Sequence, residues 1–158
     1  PIEEKGIIIN SKTMLPLSNV ARTLQALVKW DSATETAFIY KPNVHITLFE
    51  MIKDKISGPF GNVEYKGKYD FVIFTQVDSL LTEVSSIKVT MEDPYGKEVV
   101  SENKELTKDQ KNNFWFGTPT ITHLFKYTGK YTVKFYMKAG DGPYSLVSEK
   151  VIQSYSQK

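Results

Sequence analysis

Lys130-Tyr131-Thr132-Val133-Lys134-Phe135-Tyr136 is the stretch whose reading decides the fold. Tyr131, Val133 and Phe135 alternate with Lys130, Thr132 and Lys134, the period of a strand with one buried face. Thr128-Gly129 turns into it, and Gly140-Asp141-Gly142-Pro143 is the hairpin turn after it. Ser145 to Ser154 then reads as the strand that closes the sheet. The same period runs upstream: Phe71, Ile73, Thr75 and Val77 alternate with Val72, Phe74, Gln76 and Asp78, and Ile87, Val89 and Met91 with Lys88, Thr90 and Glu92. Asp93-Pro94-Tyr95-Gly96 is a turn, because Pro presets φ at its second position and Gly closes it. Val99-Val100 reads as a short return strand, and Ser101 to Asn113 as a polar surface connection. Phe114-Trp115-Phe116 and Ile121 to Tyr127 are strands. Short strands with regularly spaced turns predict an all-β sandwich over residues 57–158.

The N-terminal third changes period. Ile7-Ile8-Ile9 and Thr13-Met14-Leu15 are extended, with a turn at Asn10-Ser11-Lys12. Leu17, Val20, Ala21 and Leu24 then follow helical spacing for about two turns, with Pro16 suited to the helix start. Ala26, Val28 and Trp30 alternate, Asp31-Ser32-Ala33-Thr34 turns, and Thr36 to Tyr40 and Val44 to Leu48 are strands. The pattern strand, strand, helix, strand, strand, strand predicts a small α+β module over residues 1–56, with the helix covering one face of an antiparallel sheet. Ser57-Gly58-Pro59 and Gly61-Asn62 mark the boundary. The expected class is mostly β.

Composition narrows the function. Twenty basic and 18 acidic residues among 158 are interspersed without a basic block, which argues against nucleic-acid binding. The absence of cysteine excludes thiol catalysis, disulfides and cysteine-based metal sites. No apolar run approaches the ~20 residues of a membrane-spanning helix. The chain opens at Pro1, and the expectation is that an upstream segment has been removed.

Ile9-Asn10-Ser11-Lys12-Thr13-Met14-Leu15-Pro16-Leu17, Val20-Ala21, Leu24, Val28-Lys29-Trp30-Asp31, Thr34, Thr36 and Ile39 together resemble the copper amine oxidase N-terminal-like, or stalk, domain. The resemblance covers about residues 7–48. Ser11 stands where that family usually has Gly, Ser18 where it has Arg, and Gln25 where Gly ends the helix. The resemblance implies structural roles for Asn10, Pro16, Trp30, Asp31 and Thr34. Trp30 would lie on the sheet under the helix, Asp31 and Thr34 would organise a turn, and Pro16 would fix the strand-to-helix junction. It also implies an extracytoplasmic module of a secreted or wall-associated protein of Gram-positive bacteria. The Gly-x-Tyr-x-Val run at Gly129-Lys130-Tyr131-Thr132-Val133 is similar to a strand of many immunoglobulin-like domains, where the Tyr is a structural corner.

Chemistry follows from inventory. Amine oxidation needs three His ligands and a quinone-forming Tyr after Asn. The chain has His45 and His123 only, and no Asn-Tyr pair, so the expectation is no amine oxidase, no catalytic residues, no cofactor and no metal. Hydrolase, phosphate-loop and zinc-protease motifs are absent. Asp93 and Asp141 lie in turns without calcium-ligand spacing. The ligand platform to consider is Asn112-Asn113-Phe114-Trp115-Phe116, with Asn113 and Trp115 beside Tyr144 and Tyr95 as a rim. The expected function is a non-catalytic, exported cell-envelope module, either tethered or secreted, that binds cell-wall glycan or an envelope protein. A secreted enzyme inhibitor, using the segment before Asn113, and a small polysaccharide-acting enzyme are the alternatives.

Overall fold

The computed structural model describes residues 6–107 and 113–156. The chain begins with β1 (Ile7–Ile9) and β2 (Lys12–Met14), α1 (Leu17–Thr23), β3 (Leu27–Asp31) and β4 (Thr36–Tyr40). The sandwich strands follow: β5 (Asn43–Ile52), β6 (Lys55–Pro59), β7 (Asn62–Glu64), β8 (Lys68–Asp78), β9 (Ser86–Glu92), β10 (Glu98–Glu105), β11 (Phe114–Gly117), β12 (Ile121–Leu124), β13 (Gly129–Lys138) and β14 (Tyr144–Tyr155). One sheet runs β11-β8-β5-β6, with β12 also on β8, and the other runs β10-β9-β13-β14-β7. The chain crosses between sheets after β6, β7, β8, β10 and β12. β7 pairs in parallel with β14 at the sheet edge, whereas the other pairs of that sheet are antiparallel, giving immunoglobulin-like connectivity.

The strand period selects the core. Phe71, Ile73 and Val77 from β8, Ile87, Val89 and Met91 from β9, and Tyr131, Val133, Phe135 and Met137 from β13 are all buried and share one cluster. The Tyr131 hydroxyl accepts the backbone N–H of Tyr127 at 3.1 Å, tying the start of β13 to the preceding corner. The turn at Asp93 is built as its residues demand. Gly96 N–H reaches Asp93 O at 2.9 Å, and Asp93 Oδ1 accepts the N–H groups of Tyr95 and Lys97 at 2.9 and 3.0 Å.

Two expectations are corrected. Residues 101–105, assigned to a surface connection, extend β10 and pair with β9 as far as Glu105↔Ser86. This stretch is polar because it is an edge strand, where charged side chains discourage pairing with other chains. The expected connection also includes residues 108–112, which lie outside the described residues. The boundary at 56/57 falls inside β6, and β5 is a sandwich strand. β5 is paired to β8 from Asn43↔Asp78 to Glu50↔Phe71, with Leu48 fully buried in the common core.

The predicted single sheet under the helix is divided. β1–β2 and β3–β4 are separate two-stranded hairpins. Asn10 and Ser11 both take positive φ, 49° and 61°, in the two-residue turn between Ile9 and Lys12. Both residues of a type I′ hairpin turn need that conformation. The helix ends in a Schellman arrangement: Gln25 has φ 52°, its N–H reaches Arg22 O at 3.0 Å, and Ala26 N–H reaches Ala21 O at 2.8 Å. Ala21 and Ala26 are both buried, supplying the apolar contact that accompanies this cap. Leu27 joins the sandwich core, and Lys41 Nζ donates to Gln25 O at 3.0 Å and to Val147 O at 3.3 Å. Burial lowers the Lys41 pKa.

Candidate functional site: an aromatic diagonal on one sheet face

The outward positions of the β11-β8-β5-β6 sheet form rows fixed by register. His45, Gln76 and Trp115 make one row, Thr47, Phe74 and Gly117 the next, and Phe49 with Val72 and Pro59 the third. Trp115, Phe74 and Phe49 therefore descend diagonally across three strands. Diagonal neighbours of this kind lie within reach of aromatic side chains. The Trp115 and Phe74 ring centroids are 5.9 Å apart and those of Phe74 and Phe49 are 6.3 Å apart, both in edge-to-face arrangements. Trp115 is 69% exposed, and Phe74 and Phe49 are half-buried. Gly117 carries no side chain to cover Phe74. Gln76 lies directly across from Trp115, and its Nε2 donates to Asp78 Oδ2 at 2.9 Å.

The opposite outer face is of another kind. Lys134 meets both carboxylate oxygens of Glu92 at 2.7 Å, and Lys88 meets Glu98 at 3.5 Å. Burial pulls the Lys134 pKa down, but the Glu92 carboxylate reverses this and leaves it raised. One face is thus a charged, solvated ladder and the other an aromatic surface.

The residues proposed from the sequence separate between these surfaces. Tyr144 belongs to the charged face, where its hydroxyl lies 2.8 Å from Ser86 Oγ. It cannot share a platform with Trp115, since the outer faces of a sandwich point in opposite directions. Asn113 is engaged elsewhere: its Oδ1 accepts Ser79 N–H at 2.9 Å, beside the positive φ of Ser79. Asn112 lies outside the described residues. Tyr95 is at the sandwich end, edge-on to Tyr127 at 4.9 Å. Phe74 and Phe49 were not picked out from the sequence. Their signal was present, because both stand at the outward parity of strands whose inward parity already holds Ile73 and Leu48.

The N-terminal positions also sort by geometry. Asp31 Oδ1 accepts Ala33 N–H at 2.9 Å, and the Thr34 hydroxyl and Ala33 N–H hold its carboxyl below the usual pKa. Thr36 Oγ1 donates to Thr34 O at 3.0 Å. Pro16 is the helix N-cap residue, and its carbonyl accepts Asn19 N–H at 3.0 Å. Trp30 is 60% exposed rather than covered by the helix. Its parity is that of Val28, whereas Leu27, of the other parity, is the residue of β3 that enters the core.

The two histidines do not meet. His45 is exposed on the aromatic face, opposite Gln76, whereas His123 is opposite Tyr69, seven residues along β8, or roughly 23 Å. His123 packs on Phe125 at 4.8 Å and Tyr131 at 5.8 Å, and burial followed by Lys126 lowers its pKa. Among the described residues no group of three or more His, Asp and Glu side chains is placed to hold a metal ion. Asp141 lies in the β13–β14 turn, away from Asp93. A depression of about 120 Å³ at the sandwich end is lined by Asp93, Lys97, His123, Lys126, Tyr127 and Tyr131. It is well below the ~300 Å³ of the smallest usual ligand pockets.

Residues 1–54 match the family model of the copper amine oxidase N-terminal domain. That domain is the non-catalytic part of those enzymes, and the match covers about a third of the chain. The matched segment comprises both hairpins, α1 and β5, so it contributes a full strand to the sandwich sheet. A search among curated proteins gave no match. No helix among the described residues is long and apolar enough to cross a membrane.

Proposed function

We propose that this chain is a non-catalytic module of the bacterial cell envelope, exported and wall-associated or secreted, that binds cell-wall glycan through its aromatic sheet face. The observation that carries the reading is the Trp115–Phe74–Phe49 diagonal, exposed at Trp115 and half-buried at the other two rings, set against a charged opposite face. Aromatic rings offer apolar faces to the C–H faces of sugars at low entropic cost, while adjacent amide and hydroxyl groups such as Gln76 and Thr47 provide hydrogen bonds. The match to a non-catalytic amine oxidase domain supports a binding rather than an oxidase role, and the stalk-like N-terminal segment supports placement outside the membrane. On this reading the protein is not an amine oxidase and uses no cofactor.

The test is a pull-down on purified peptidoglycan with the protein and its Trp115→Ala variant. The variant should lose most of the retained protein while its stability changes by no more than about 1 kcal/mol, as for an exposed side chain. Equal retention of both proteins would rule out the aromatic face as the binding surface.

A further inference from the structure

Resting on the glycan reading above, we propose that the aromatic face binds an extended, uncharged β-1,4-linked hexopyranose chain rather than a single sugar, and that Gly117 is the open floor through which this chain reaches Phe74. Three rings stand in line across β11, β8 and β5, with successive centroids 5.9 and 6.3 Å apart. A single sugar would cover one of them. A chain of equatorially linked pyranoses presents C–H groups on both faces along its length, so by twisting about its linkages it can meet successive rings that are turned 61° and 71° from one another.

Gly117 lies directly across from Phe74. Its backbone does not require glycine, since its φ is not among the positive values. A Cβ there would meet only the edge of Phe74, at 4.0 Å, which is ordinary contact. A side chain is sterically admissible, and its absence leaves the middle ring uncovered. Charge speaks to the ligand as well. Across the three rows, His45 is the sole titratable side chain, and no Lys, Arg, Asp or Glu is present. Such a surface has nothing to select an anionic polymer, whereas Thr47 and Gln76 can address neutral hydroxyl or acetamido groups.

The experiment is calorimetric titration of the whole chain with cellohexaose, chitohexaose, maltohexaose and the two corresponding β-linked disaccharides. One or both β-linked hexasaccharides should bind at least about tenfold more tightly than the matching disaccharide, and α-linked maltohexaose should not bind. Which β-linked hexasaccharide binds better distinguishes a plain from an N-acetylated chain. Gly117→Leu, which fills the floor, and Phe49→Leu, which removes the far ring but keeps apolar volume, should each weaken hexasaccharide binding about tenfold. Thermal melts of both variants establish that they remain folded. Equal affinity for di- and hexasaccharide, or a Gly117→Leu protein that binds as the wild type does, would overturn the extended site while leaving the Trp115 platform standing. Binding to no glycan, with retention by envelope protein instead, would overturn both.

Discussion

At the scale of single residues, the most informative positions are those where the chain departs from what its local geometry prefers. Gln25 adopts the left-handed conformation at the helix end although it carries a side chain. A non-glycine residue there costs roughly 1–2 kcal/mol. Gln25→Gly should therefore stabilise the protein by about 1 kcal/mol, read as a rise in the denaturation midpoint. A midpoint that falls would mean that the Gln25 side chain contributes more than the strain it carries. His123 makes a pH-dependent prediction. Its folded pKa lies below the usual value because burial, then Lys126, disfavours the imidazolium, with Asp93 opposing. The unfolded chain then binds more protons around pH 6.5 and below. The stability linked to neutral His123 is complete above that value and is lost as pH falls through it towards the folded pKa. Urea denaturation of wild type and His123→Phe should show the variant gaining on the wild type between about pH 7.5 and about pH 5. Parallel pH profiles would refute this.

At the scale of elements, strand period assigned faces well, and neighbours decided what those faces meet. The alternation in β8, β9 and β13 was legible because each has one parity filled with large apolar residues. The polar half of β10 was not legible, since an edge strand has no apolar requirement on its outer side. The β9–β13 pairing places Lys134 beside Glu92, with side chains 23% and 25% exposed. Glu92→Gln should cost about 0.5–1 kcal/mol at neutral pH, the upper part of the range for ion pairs that keep contact with solvent. Because the folded pKa of Lys134 is raised, the wild-type advantage is complete below 10.5 and fades as pH rises beyond it. A difference that persists undiminished at high pH would assign the effect to packing instead.

At the scale of the whole molecule, β5 joins two parts that the sequence presents as separate. It lies within the segment that matches the family model, yet it is paired on both sides in the sandwich, to β8 and β6. A chain beginning at Lys41 should fold cooperatively, with stability reduced by loss of the Leu27 contact. One beginning at Ser57 should not, because it removes a central strand and leaves one edge of β8 unpaired, with only β11 and β12 on the other. Two-dimensional NMR of the two chains decides this, and dispersed spectra from both would show β5 to be dispensable.

The sequence by itself determined the mostly-β class, the turns at Asp31 and Asp93, the Tyr131 strand and the family resemblance of the N-terminal third. Each of these is written in local chemistry: a period of two, Pro or Gly or Asp at fixed offsets, a run of motif residues. Only the tertiary structure decided that β5 belongs to the sandwich, that Trp30 is exposed, and that Trp115 shares a surface with Phe74 and Phe49 rather than with Asn113 and Tyr144. These depend on register and on which sheet a strand joins. Two parities of a strand look alike until a neighbouring strand sets one of them against the core.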